Sequence, residues 1–138
     1  MLKMAIIGFH FKKLNAERKK SPIGKINVSS SLTITTVKEA KVNMGSDKQK
    51  GIEFSFNFKT VYQPGIASID IDGAVVYLGS SEKVSTALQK WDKEKKLPKD
   101  VLESIYNAIL PKCNVEVLLM AKEMQLPPHV PFRKVKVN

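Results

Sequence analysis

The stretch GIEFSFNFKTVYQPGIASIDIDGAVVYLG, residues 51–79, decides the fold. Ile52, Phe54, Phe56, Phe58 and Tyr62 alternate with Glu53, Ser55, Asn57 and Lys59. Successive side chains of an extended strand point to opposite faces, so a period of two predicts one apolar and one polar face. Gln63-Pro64-Gly65 reads as a turn. Ile69, Ile71, Val75 and Tyr77 then alternate with Ser68, Asp70 and Asp72, ending near Gly79. The stretch is therefore a hairpin of two half-buried antiparallel strands. Phe54, Phe56 and Phe58 share the side of Ile52, which must be covered, so they read as core rather than as a platform for stacking bases.

Upstream, Ile26, Val28, Leu32 and Ile34 alternate with Asn27, Ser29, Ser31, Thr33 and Thr35, and Val37–Val42 prolongs this strand after a bulge. Met4–Phe11 reads as a first strand, apolar on both faces. Asn15–Gly24 is charged and holds Pro22 and Gly24, so it reads as a loop, and Gly45–Gly51 as a turn-rich connection. Downstream the period changes. After Ser80-Ser81, which suits an N-cap, Val84, Ala87, Leu88 and Trp91 follow the i, i+3, i+4, i+7 spacing of a helix ending in Lys93–Lys96. Pro98 opens a second helix with Leu102, Ile105, Tyr106 and Ile109 on its apolar face. Pro111 is expected to break or kink it, and Asn114 to cap a third piece, Val115–Gln125. Four strands in an antiparallel meander, then two to three helices on one face, make an α+β fold in a single domain over residues 1–138.

The chain has 138 residues, 43% apolar, and carries 23 Lys and Arg against 13 Asp and Glu, a net charge of +10. That charge is uneven. Residues 1–25 hold seven basic groups and one acid, residues 26–81 balance, residues 82–126 carry +1, and residues 127–138 hold three basic groups and no acid. Basic ends on a neutral body suggest arms that reach for phosphates. The candidate contacts are Lys12, Lys13, Arg18, Lys19, Lys20 and Lys25 in a basic N-terminal loop (12–25), and Arg133, Lys134 and Lys136 in a basic, proline-rich tail (127–138).

Catalytic signatures are absent. His10 and His129 belong to no ligand-spaced cluster, which excludes a zinc set. Cys113 excludes an internal disulfide framework and fits a reducing, cytoplasmic setting. Its place at a possible helix start would lower its pKa, against a plain packing role. Asp70 and Asp72 share a strand face and read as solvated. Trp91 and Tyr106 lie in helical stripes and read as core or oligomer interface. The triplet Asn27-Val28-Ser29 carries no weight without a secretion signal. Met4–Phe9 is too short for a signal-peptide core, and no apolar run nears the roughly 20 residues of a membrane span.

The stretches GKINVSSSLTITTVKEAKV (24–42), residues 51–79 above, and ILPKCNVEVLLMAKEMQLPPHVPF (109–132) resemble SecB, the export chaperone, and more closely the SecB-like small proteins of archaea. The resemblance covers most of the chain as architecture. It implies a SecB-like fold, a homo-oligomer, and unfolded polypeptides as partners held in apolar grooves. SecB proteins are acidic, whereas this chain is +10, and the charge points elsewhere. The expectation is a non-enzymatic RNA-binding protein with no cofactor and no metal, ribosomal or ribosome-associated, its partners rRNA and ribosomal proteins. The alternative is a SecB-like chaperone.

Overall fold

A computed structural model describes residues 5–40 and 49–128. Strands β1 (Ala5–Arg18), β2 (Asn27–Ala40), β3 (Gln49–Gln63) and β4 (Ala67–Ser80) precede helices α1 (Ser81–Glu94) and α2 (Lys99–Glu123). The strands form one antiparallel sheet in the order β1-β4-β3-β2. The expected α+β order of four strands and then helices is present. The meander runs through β2, β3 and β4, and β1 closes the sheet on the far side of β4. The β3–β4 turn contains a cis Gln63–Pro64 peptide, with Gly65 at φ +60°.

Both expected strand alternations hold. Ile52, Phe54, Phe56, Phe58 and Tyr62 of β3 and Ile69, Ile71, Val75 and Tyr77 of β4 are buried on the helix-covered face. Val84 and Ala87 of α1 close over them, as do Val101, Ile105, Ile109, Cys113, Val117 and Ala121 of α2. Two tyrosines reach from the sheet to polar atoms of the helical layer. Tyr62 Oη donates to the Pro127 carbonyl at 2.7 Å and Tyr77 Oη to the Ser104 carbonyl at 3.3 Å. A polar tip on an apolar ring needs such a partner when buried. Thr60 is fully buried, and its hydroxyl lies 2.9 Å from the Ser30 Oγ across the β2–β3 pair.

Helix α1 starts where expected, with Ser80 Oγ accepting from the Lys83 backbone N–H at 3.2 Å. The break expected at Pro111 does not occur, and α2 is one 25-residue helix that absorbs the expected third piece. Pro111 lies on its exposed side. The carbonyl one turn earlier, at exposed Asn107, loses its helical donor where water can replace it. The buried residues of α2 recur every fourth position. At 100° per residue the buried stripe drifts about 40° at each step, so one straight face cannot meet the sheet. The helix instead crosses the sheet obliquely. Tyr106 near its start reaches the Leu32 carbonyl of β2 at 3.5 Å, and Met124 just past its end accepts from Arg18 of β1.

Strand β1 departs most from expectation. It continues through Lys12, Lys13 and Asn15 to Arg18, where the sequence reads as a loop from Asn15. It is an edge strand, and charged residues are what edges carry. Its apolar residues are not spread over both faces. Register shifts between Ile6 and Gly8 and between Phe11 and Lys13 act as bulges. Each inserts one residue and resets the alternation. Ile6, Phe9, Phe11 and Leu14, spaced three, two and three apart, thus all fall on the helix-covered side.

Candidate functional site

The trough between β1 and α2 is built from that row. Phe9 and Phe11 form its floor, with ring centroids 5.3 Å apart and edge to face. Phe9 also rests on Phe56 of the core, at 5.6 Å. Pro111, Val115, Lys112 and Glu116 of α2 form the wall, around a space of about 410 Å³. The Lys112 ammonium stands 4.9 Å from the Phe9 ring centroid, a cation–π distance. Apolar surface continues beyond the trough. Ile6 and Leu14 are 47% and 46% exposed on β1, and Val115 and Leu119 are 57% and 54% exposed one turn apart on α2. Single exposed apolar residues need no explanation, but several on the two elements that bound one apolar cleft do. Among the described residues no strand pairs with the outer edge of β1.

A second cleft of about 320 Å³ lies by the opposite edge of the sheet. Leu32 and Ile34 of β2 form one wall. Trp91 of α1 and Leu102 and Tyr106 of α2 form the other, with Leu97 at the base and Lys95 and Lys96 at the lip. Trp91 and Tyr106, expected in the core or an interface, are half-buried here.

The basic residues do not gather. Lys12 Nζ donates to Ser55 Oγ at 3.3 Å on the sheet face away from the helices. Lys13 lies opposite Asp72 in the β1–β4 register. Arg18 donates to the Met124 carbonyl at 3.1 Å and to Ser21 Oγ at 3.4 Å. The backbone N–H groups of Lys19 and Lys20 both donate to the Ile66 carbonyl, at 2.7 and 3.2 Å. Lys25 is exposed just before β2. The N-terminal basic segment is therefore strand up to Arg18 and then clipped to the β3–β4 turn. Arg133, Lys134, Lys136 and His129 lie outside the described residues, as does most of the tail.

Asp70 and Asp72 are half-buried on the open face, and the Asn57 amide donates to both, at 2.8 Å for Asp72. Cys113 is packed in the core instead of activated. Burial, and then the charge of Glu116, push its thiol up to about 12. Among the described residues no group of three or more His, Cys, Asp or Glu gathers as a metal site, and no helix is long and apolar enough to cross a membrane.

Solved structures share this architecture. One is the SecB-like chaperone Rv1957 of Mycobacterium tuberculosis, determined with a ChAD peptide from the antitoxin HigA1. It matches with a TM-score of 0.60 at 12% identity, over 96% of this chain and 90% of that one. The fold is SecB-like. A protein of unknown function from Streptococcus agalactiae matches with a TM-score of 0.53 at 8% identity, over 97% of this chain and 99% of that one. No protein-family model and no curated protein matches the sequence.

The fold likeness corrects the expectation of an RNA-binding, ribosome-associated protein, because it favours the chaperone alternative. The physical reason the charge misled is placement. Net charge speaks of solubility and encounter, not of a site, and the described N-terminal cations are dispersed along a strand and a clipped turn. What sequence reasoning missed is the trough. Phe9 and Phe11 stand about a hundred residues from Pro111 and Val115, and the two bulges of β1 hide from the sequence that its apolar row lies on one side.

Proposed function

We propose that this protein is a non-enzymatic, SecB-like polypeptide-binding chaperone of the cytoplasm. Its occupant is an extended, apolar segment of an unfolded chain, held in the trough between β1 and α2. The observation that carries the reading is the open trough with Phe9 and Phe11 as floor and Pro111 and Val115 as wall, with Ile6, Leu14 and Leu119 exposed on the same two elements, beside an unpaired strand edge. An extended segment places alternate side chains into such a trough, while its backbone can bond along a free edge. The Rv1957 relative, solved with a peptide, supports the same use of the fold. The floor rests on the core through Phe9 and Phe56, and its wall is one turn of α2, so the trough is preformed and little ordering free energy opposes binding.

The test is suppression of aggregation. A chemically denatured protein is diluted into buffer with the full chain, and light scattering is followed. Scattering should fall with added wild-type chain. The Val115→Asp/Leu119→Asp variant, altered at two exposed positions, should keep the wild-type circular dichroism and lose the suppression. No suppression by the wild type, or full suppression by a folded double variant, overturns the reading.

A further inference from the structure

The second cleft differs from the trough in its charge. The trough wall carries Lys112 and Glu116, which balance. The β2-side cleft is lined by Lys95 and Lys96 with no acid among its lining residues. Asp92 and Glu94 of α1 are exposed nearby but do not line it. The Lys95 ammonium stands 5.7 Å from the centroid of the Trp91 ring, so the cation sits beside the aromatic wall.

The backbone adds a second observation. Lys95 caps α1 at φ 54° and ψ 34°, the left-handed conformation, and its N–H donates to the Trp91 carbonyl at 2.8 Å. Helices commonly end in this conformation with glycine or asparagine, because a Cβ is disfavoured there. A lysine at that position does nothing for the cap that glycine would not do better. Its side chain is where the gain lies, and that side chain stands at the lip of the cleft.

We propose that the β2-side cleft is a selectivity site for acidic polypeptide segments: an apolar or aromatic residue enters between Ile34 and Trp91, and Asp or Glu residues beside it meet Lys95 and Lys96. This rests on the reading of the protein as a polypeptide binder. It adds a preference that this reading alone does not contain. The occupant is identified by charge complementarity together with the apolar walls. A bare polyanion would satisfy the lysines and leave Leu32, Trp91, Leu102 and Tyr106 unused.

Three labelled peptides with one shared core of Leu, Ile and Phe are flanked by Asp and Glu, by Ser, or by Lys, and a purely acidic peptide without that core serves as control. Binding to the full chain is measured by fluorescence anisotropy at low and at high salt. The acidic-flanked peptide should bind about fivefold tighter than the Ser-flanked one at low salt, in keeping with two exposed ion pairs. The margin should close at high salt, where exposed charges are screened. In the Lys95→Gly/Lys96→Ser variant the margin should vanish while the Ser-flanked affinity holds. Glycine suits the left-handed cap, so the variant should melt no lower than wild type, which separates lost charge from lost fold. Equal binding of all three peptides by the wild type, a preference for Lys flanks, or equal binding of a purely acidic peptide without the apolar core overturns the acid preference. Failure of all three peptides to bind overturns the polypeptide-binding reading itself.

Discussion

Gly73 is the position at which one methyl group should cost the most. It lies mid-strand in β4, between Phe11 of β1 and Phe56 of β3. A Cβ built there would lie 2.6 Å from Phe56 Cζ, 3.0 Å from Phe56 Cε1 and 2.7 Å from the His10 carbonyl oxygen. Carbon atoms pack at roughly 3.5–4.0 Å, so Gly73→Ala forces an overlap of about 1 Å against the ring. The ring has little room, because Phe56 is buried and supports Phe9. The His10 carbonyl belongs to the paired β1 backbone and moves only with the strand. Overpacking of this kind costs about 1–3 kcal/mol, and a backbone contact argues for the upper half. Against that, alanine restricts the unfolded chain and recovers about 0.5–1 kcal/mol. The net expectation is a loss of about 1.5–2 kcal/mol, read from the urea midpoint at unchanged slope. In a Phe56→Leu background the ring contacts vanish and only the carbonyl contact remains, so Gly73→Ala should cost about 1 kcal/mol less there. A Gly73→Ala protein within 0.5 kcal/mol of wild type, or the same cost in both backgrounds, would refute the account of the ring resting over a bare backbone.

Other expectations follow from single contacts. The Cys113 thiol, pushed up to about 12, should resist iodoacetamide at pH 8 in the native protein and react once the chain is unfolded in urea. The native state then holds a proton that the unfolded thiol gives up near pH 9, so stability should be full below that pH and fall between it and pH 12. Burial raises Tyr62 and Tyr77 in the same sense, so their contribution should be full below pH 10 and fall above it in denaturant titrations. Ser80→Ala removes the acceptor for the Lys83 N–H and should lower stability by about 1 kcal/mol by chemical denaturation, with no change in peptide affinity. Tyr62→Phe leaves the Pro127 carbonyl without its donor and should cost about 1 kcal/mol in the same assay.

Much of the sheet was legible because burial on one side writes a period of two into the chain. Residues 51–79 show it, and so does Val28 to Ile34. The start of α1 was legible because a serine before a helical stripe has one local use. The course of β1 beyond Phe11 was not, since Lys12, Lys13 and Glu17 look like loop when the strand is at an edge and two bulges hide its period. The continuity of α2 was not legible either, because local rules forbid Pro111, whereas the packing of Ile109, Cys113 and Val117 spans it. Neither cleft could be read, because each joins elements whose proximity is tertiary. The net charge of +10 was plain, but its total carries no position.

The strand order has a consequence in time. Ala5 pairs with Leu78 and Arg18 with Ala67, while β2 pairs with β3 and β3 with β4, each its neighbour in sequence. During synthesis β1 must therefore wait for its place, since its partner β4 is made some fifty to seventy residues later. Closing so long a loop is slow compared with zipping hairpins. Until then the apolar row of β1 is itself an unfolded segment in search of a cover, and a newly made copy of this chain resembles the clients that a finished copy is proposed to hold.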